Sequence, residues 1–476
     1  MTSRFRFAVV ASIVGGGTLV ALAAPRALPL SAADLQDPPP RPQTQLDLTM
    51  SGKGYQPRLG LPDFVVPAGD AALAEAARVV AEVLWADLEF EREFYMIPRE
   101  QSARIQTSAS PQGLPVQEWA QLGTDFVLMG IVRRTGDQFE VDLRSIAVRG
   151  RDPGSQVFGR KYQGCTTATP RACAHYIADD FHKETRNLDG VAQTRLAFVS
   201  NRDGSPLTGR PMLNPASSKE IYVSDYDGAN QRRVTANQKL NIKPRWSPDA
   251  RSLVYTSWES GFQDIYIIHP FGGGPRSRPA AGSEHVHNML ADWSPDGQRI
   301  AYSSNDGGGR SDVWVVNRDG SGRRNLTPNT PRWDDNAPTW SPDGTKIAFT
   351  SDRSGTNQIY MMSADGTGVD RIISQAHSDA PTWSPLDYIA FAIGGGPGHD
   401  IAAYDVISKE VRVLTDGLGS NESPSVAPNG RHIAFTTTRW GREQIATIDY
   451  PTGRNIRRVT DAGTNTYPNW SPTPKR

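Results

Sequence analysis

The side chains in this chain best equipped for chemistry are His285, His287 and His377, together with Asn288, Asp334, Asp335, Asn336, Asp379 and Glu422. Imidazoles and carboxylates carry protons and bind metals, and carboxylates crowded at one place suit Ca²⁺. Their spacing matches no ligand signature, so no metal site is assigned. Nucleophilic chemistry has little footing. A serine hydrolase of the α/β type needs a Gly-x-Ser-x-Gly elbow, and that pentapeptide does not occur. The two cysteines, Cys165 and Cys173, lie eight positions apart. With His175 they do not complete a four-ligand site. In an oxidising compartment they are a candidate local disulfide contributing about 2–3 kcal/mol; a pair of buried free thiols is the alternative. No catalytic residue and no cofactor is expected.

What these polar residues share, His285 apart, is a position four to six residues ahead of a repeated motif. Trp246-Ser247-Pro248-Asp249, Trp293-Ser294-Pro295-Asp296-Gly297 and Trp340-Ser341-Pro342-Asp343-Gly344 are near copies; Trp383-Ser384-Pro385, Val426-Ala427-Pro428-Asn429-Gly430 and Trp470-Ser471-Pro472 are weaker ones. Successive first positions are 47, 47, 43, 43 and 44 residues apart. Each motif leads into short β-branched or alternating runs, such as Ile300-Ala301-Tyr302 and then Val313-Trp314-Val315. Pro fixes φ, Asp bonds its own backbone and Gly accepts positive φ, so Pro-Asp-Gly forces a tight reversal between strands. Periods of this length mark a propeller, whose four-stranded blades must stack and close.

Closure is legible too. Leu196-Ala197-Phe198-Val199 begins a set of strands with no Trp-Ser-Pro before it, while Trp470-Ser471-Pro472 has no strands after it. The C-terminal strand is therefore expected to complete the first blade, giving six blades over residues 190–476 and no open edge. Loops entering the innermost strand gather at the channel mouth, so His287, Asn288, Asp334, Asp335, Asn336, His377, Asp379 and Glu422 are expected to form a polar rim there. Solvated loop residues and turn formers are the plainer reading of each one.

Residues 58–187 read as a small α/β domain. Leu59–Val66 reads as a strand, and Asp70–Leu88 as a helix with Leu73, Ala77, Val80, Leu84 and Leu88 on one stripe. Further strands are expected at 94–97, 125–132, 139–148 and 157–163, with a short helix around 116–122. Thr169 is expected to cap a last helix with Pro170 at its first position. Residues 1–33 read as an export signal: Arg4 and Arg6 precede an apolar run from Phe7 to Ala24, and Ala21-Leu22-Ala23 offers a cleavage site. An uncleaved anchor is the alternative. Residues 34–57 form a Pro-rich segment. With 51 basic and 51 acidic side chains the formal net charge is zero, and no nucleic-acid partner is expected. Beyond the signal nothing is apolar enough to span a membrane, and a monomer is expected.

An export signal, a small α/β domain and six such blades, in this order, resemble the TolB family of the Tol-Pal system. The segment Tyr222-Val223-Ser224-Asp225-Tyr226-Asp227-Gly228-Ala229-Asn230-Gln231 resembles the family's first blade. The segment Gln45 to Gly52, followed by Arg58-Leu59-Gly60-Leu61-Pro62, resembles its mature N-terminus. The resemblance implies a periplasmic, non-enzymatic scaffold that binds the outer-membrane lipoprotein Pal and couples to the inner-membrane protein TolA, supporting outer-membrane integrity and envelope constriction at division. It implies that His287, Asn288, Asn336 and Ala337, with His377, Asp379 and Glu422, contact Pal. It implies that Leu46, Asp47, Leu48, Thr49, Met50 and Ser51 form the TolA-coupling segment. A generic exported propeller with another ligand, or one derived from a prolyl-oligopeptidase-type hydrolase, is the alternative.

Overall fold

The computed structural model describes residues 56–203, 218–306, 309–328, 332–374, 377–394 and 398–474. The expected signal and the segment Leu46–Ser51 lie outside the described residues.

The α/β part is built on a five-stranded sheet ordered β2-β1-β3-β4-β5. The strands are β1 (Arg58–Gly60), β2 (Tyr95–Met96), β3 (Phe126–Thr135), β4 (Gln138–Ala147) and β5 (Gln156–Thr166). β1 runs parallel to both neighbours, and the long β3, β4 and β5 are antiparallel. The expected strand 59–66 is shorter than its apolar run. Only Arg58–Gly60 pairs, and Val65 makes a single bridge to Ile131. Gly60 is needed there because a side chain would run into the ring of Trp119.

Two long helices cover one face. α1 (Ala71–Glu91) starts where Asp70 accepts a hydrogen bond from the Leu73 amide at 3.0 Å, the usual way to satisfy a first-turn donor. α4 (Pro170–Arg186) packs beside it, and Leu73, Val80, Leu84, Leu88, Ile177 and Phe181 share one core with Leu128, Val141 and Leu143 of the sheet. The opposite face is covered by the short helices α2 (Arg99–Ser102) and α3 (Val116–Gln121), with Trp119 fully buried among Val127, Met129 and Ile146. Cys165 of β5 and Cys173 of α4 are joined by a disulfide, Cα atoms 5.5 Å apart. Thr169 sits at the helix start but does not cap it: its hydroxyl meets that of Thr166 at 2.8 Å instead. None of the described helices is long and apolar enough to cross a membrane.

The rest is a six-bladed propeller of four-stranded sheets. The innermost strands are Asn465–Trp470, Asn241–Trp246, Asn288–Trp293, Asp335–Trp340, His377–Trp383 and Asn421–Val426 for blades 1 to 6, and each touches the next around a closed ring. Closure is as the repeat count requires. Asn465–Trp470 pairs antiparallel with Arg195–Ser200, joining Asn465 to Ser200 and Trp470 to Leu196. The Trp470 indole then donates to the Thr194 hydroxyl at 2.7 Å, and the Arg195 amide to Ser471 Oγ at 2.9 Å.

The repeated motif is a turn with a fixed hydrogen-bond plan. Ser294 Oγ accepts from the Arg299 amide at 2.9 Å, and Asp296 accepts from the Gln298 amide at 3.0 Å. Ser341 and Asp343 repeat both bonds with Lys346 and Thr345. The fourth residue has φ near 70° at Gly297, Gly344 and Gly430. Ala250 (φ 56°) and Asp387 (φ 54°) hold the same left-handed place without glycine.

Candidate functional site

Turns alternate between the two ends of a blade. The Ser-Pro-Asp-Gly turns and the turns from third to fourth strand lie at one end, and the loops entering each innermost strand lie at the other. Among the described residues the α/β part sits on the first end, bonded there through Glu91 to Arg431 and Asp87 to Tyr226.

Beneath the α/β part is a dense set of buried, paired charges. Glu91 at the end of α1 accepts from the Arg431 guanidinium at 2.6 Å and the Val191 amide at 2.8 Å, and it meets His432 at 3.3 Å. Burial alone would raise the Glu91 pKa, but the His432 hydrogen bond and the charges of His432 and Arg431 outweigh it and hold it at about 2. Asp87 accepts from the Tyr226 hydroxyl at 2.7 Å and meets His175 Nδ1 at 2.8 Å. Burial opposes a charge on His175; Asp225 and Asp87 overcome it and push its pKa up to about 10. Phe90 wedges its ring against Tyr226 and His432, with centroids 4.8 and 4.4 Å away. Nothing in the sequence pattern announced this junction, because its partners are up to 341 residues apart.

At the open mouth, each innermost strand breaks its ladder at an equivalent point, and the residue there is left-handed: Lys243, Leu290, Ala337, Ala380, Ser423 and Tyr467, with φ between 50° and 58°. Non-glycine residues in this region cost about 1–2 kcal/mol each, so the bulges need support from neighbours. It comes from the preceding blade. The Leu290 amide donates to Thr256 Oγ1, Ala337 to Ser303 Oγ and Tyr467 to Thr436 Oγ1, each at 3.1 Å. In blade 5 the Ala380 amide bonds Asp379 at 2.6 Å, and Thr350 of blade 4 donates to the same carboxylate at 2.9 Å. Four of the six bulges, at Leu290, Ala337, Ala380 and Tyr467, are thus tied to the preceding blade.

The residues expected at the rim divide into two groups. His377 and Glu422 are exposed, while His287, Asn336 and Asp379 are half-buried. Glu422 accepts from Ser420 Oγ at 2.7 Å and lies 3.4 Å from His399, whose ring packs on that of His377. Asn288, by contrast, is fully buried, and its oxygen accepts from Arg323 at 3.3 Å. Asp335, its equivalent in blade 4, is fully buried and held by both oxygens on Arg353 at 2.8 Å. The residue two places before each left-handed one, namely Asn241, Asn288, Asp335, Ser378, Asn421 and Asn465, is buried and acts as an internal anchor; His377 precedes that position in its longer strand and is exposed. Ala337 contributes a bulge and little side chain. Strand placement explains the split: successive residues of a strand face opposite ways, so the residue after a buried anchor, such as Asn336 after Asp335 or Glu422 after Asn421, lies on the other side.

Two channel residues escaped the sequence reading, Lys243 and Tyr467, although both stand in the same register ahead of Trp246 and Trp470. Lys243 Nζ lies 5.0 Å from the Tyr467 ring centre. Its surroundings and then the nearby Arg245 push its pKa down to about 8, against the attraction of Asp379 and Glu422. Among the described residues no three His, Cys, Asp or Glu side chains cluster closely enough to hold a metal ion.

Fold and site together define a propeller scaffold, closed on itself, carrying an α/β domain on one face and a polar mouth on the other. The chain belongs to the TolB family: residues 183–474 match the family described as the TolB beta propeller domain, and residues 47–152 match the TolB amino-terminal domain. Similar proteins include the Tol-Pal system protein TolB of Desulfosudis oleivorans, 30% identical over 215 residues, which are 44% of this chain and 45% of that protein. The Tol-Pal system protein TolB of Ruegeria sp. is 31% identical over 242 residues, 51% of this chain and 50% of that protein. The aligned stretches thus span about half the length of these curated relatives. The crystal structure of TolB from Acinetobacter baumannii superimposes with a TM-score of 0.73 at 20% identity, covering 88% of this chain and 97% of that one. At that identity the likeness is one of fold.

Proposed function

We propose that the protein is a periplasmic component of the Tol-Pal system whose open propeller face binds a Pal-like outer-membrane lipoprotein. The observation that carries this reading is the mouth on the face opposite the α/β domain, where His287, Asn336, His377, Asp379 and Glu422 lie among the described residues. Exposed His377 and Glu422 would make side-chain contacts, whereas buried Asn288 and bulged Ala337 would hold the loops that present them. The segment Leu46–Ser51 would couple to a TolA-like inner-membrane protein, and the scaffold would serve outer-membrane integrity and constriction at division. Support comes from the family membership and from the relatives' being Tol-Pal system proteins.

The test is calorimetric titration of the mature protein with the soluble domain of the same organism's Pal-like lipoprotein. Changing both rim side chains, as in Glu422→Lys with His377→Glu, should weaken binding at least about tenfold, since a hydrogen bond to a charged group contributes about 1.5–3 kcal/mol. Its melting temperature should not move. No binding by the wild type, or unchanged binding by the variant, overturns the rim assignment.

A further inference from the structure

A cleft of about 730 Å³ lies on the closed face, between the start of α4 and blade 1. Its walls are unusually rich in uncompensated positive charge. Arg195 and Arg232 both stack on the exposed ring of Phe271, with guanidinium carbons 4.3 and 4.8 Å from its centre. Among the described residues neither has a carboxylate in ion-pair contact. The Arg232 guanidinium donates only to the Pro270 carbonyl, at 2.6 Å. The acidic wall residue, Asp225, is already engaged by Arg171, His175 and Asn230. Burial lowers the Arg195 pKa, and Arg232 repels its charge further while Asp225 attracts it.

Two further features point into the same space. Ser224 is 2% exposed, lines the cleft, and its hydroxyl has no partner among the described residues. A buried hydroxyl left unbonded is costly. The N-terminus of the 17-residue α4 also lines the cleft, has no acidic residue in its first turn, and receives no capping bond from Thr169. A helix start of this kind carries free amides and partial positive charge.

We propose that this cleft binds a phosphomonoester, either free or as a lipid headgroup. Two uncompensated guanidinium groups match the two negative charges of the ester. Its three terminal oxygens supply enough acceptors for both arginine forks, the Ser224 hydroxyl and a helix amide together. A single carboxylate offers two oxygens and one charge, and would leave one arginine unmet. The Phe271 ring keeps both guanidinium planes in place before the ligand arrives. The site is on the face away from the rim, so it stands or falls separately from the lipoprotein contact.

The experiment titrates the mature protein with inorganic phosphate, O-phosphoserine and glutarate, and sediments it with phosphatidylcholine vesicles with and without phosphatidic acid. Saturable binding of phosphoserine, weakened about tenfold or more in Arg195→Gln/Arg232→Gln and less in Ser224→Ala, supports the site. Co-sedimentation that requires phosphatidic acid and is lost in the double variant assigns the phosphate to a lipid. If the double variant fails to fold, exposed Arg232→Gln alone is read in the same way. No binding of any phosphate probe, binding unchanged in the variants, or preference for glutarate overturns the proposal. Lipoprotein binding should remain at wild-type strength throughout.

Discussion

The two faces of the propeller solve the same problem, how to hold loops from different blades in register, by opposite means. The closed face buries charge and pairs it: Glu91 with Arg431 and His432, Asp87 with His175 and Tyr226. The open face stores backbone strain instead, in six left-handed bulges, four of which a hydroxyl group of the preceding blade supports directly or through Asp379. Buried pairs weld two domains because removing either partner strands a charge away from water. Strained bulges stiffen a mouth without covering it, which keeps polar side chains available to a partner. A scaffold that must stay assembled on one side and remain accessible on the other is served by this division.

The contrast breaks most sharply at single carboxylates. Replacing Glu91 by Ala should cost about 3–5 kcal/mol, because Arg431 and His432 are left buried with fewer partners. Thermal or denaturant unfolding measures it. Replacing Glu422 by Ala on the exposed rim should change stability by no more than about 0.5 kcal/mol. Equal costs at the two sites would erase the distinction between the faces.

pH separates the faces next. The folded-state pKa of His175 is raised from 6.5 to about 10, so its contribution is complete below pH 6.5 and fades as pH rises toward 10. The folded-state pKa of Glu91 is lowered from 4.5 to about 2, so its contribution is complete above pH 4.5 and fades as pH falls toward 2. Hydrogen exchange at the junction, followed across pH, should show protection weakening on both flanks. In His175→Gln the alkaline loss should shrink by about 1–3 kcal/mol. An unaltered alkaline limb would remove His175 from the account.

The smallest effect concerns the turns. Ala250 stands at φ 56° where three equivalent turns have glycine. Ala250→Gly should therefore gain about 0.5–1 kcal/mol, and Gly344→Ala should lose a similar amount. A loss in both variants would mean that packing at the turn, not φ, sets its stability.

The two architectures differed in legibility. The propeller was plain in the sequence since its information is local and repeated: a Trp, a Pro-Asp-Gly turn and short alternating strands, copied around a ring. The α/β elements were legible to within a few residues where apolar stripes were long, as in Ala71–Glu91, and least so at Leu59–Val66. There pairing depends on how far a neighbouring strand extends, which no local pattern reports. The Thr169 cap was misread for a related reason: a hydroxyl chooses between the helix and Thr166 according to where the chain before it lies.

At the candidate site the sequence placed the right loops at the mouth but could not sort their side chains. His287 and Asn288 are adjacent in the chain, yet Asn288 points into the blade and is fully buried. The sequence alone determined that the chain forms six blades, closes with its own C-terminal strand and carries a separate α/β part. Hydrophobic period and turn chemistry act over a few residues and are written in order along the chain. Only the tertiary structure decided which face the α/β domain covers, which polar residues became anchors, and that Glu91 meets His432. Those outcomes depend on burial and charge between segments hundreds of residues apart, where free energy belongs to the pair and to neither residue alone.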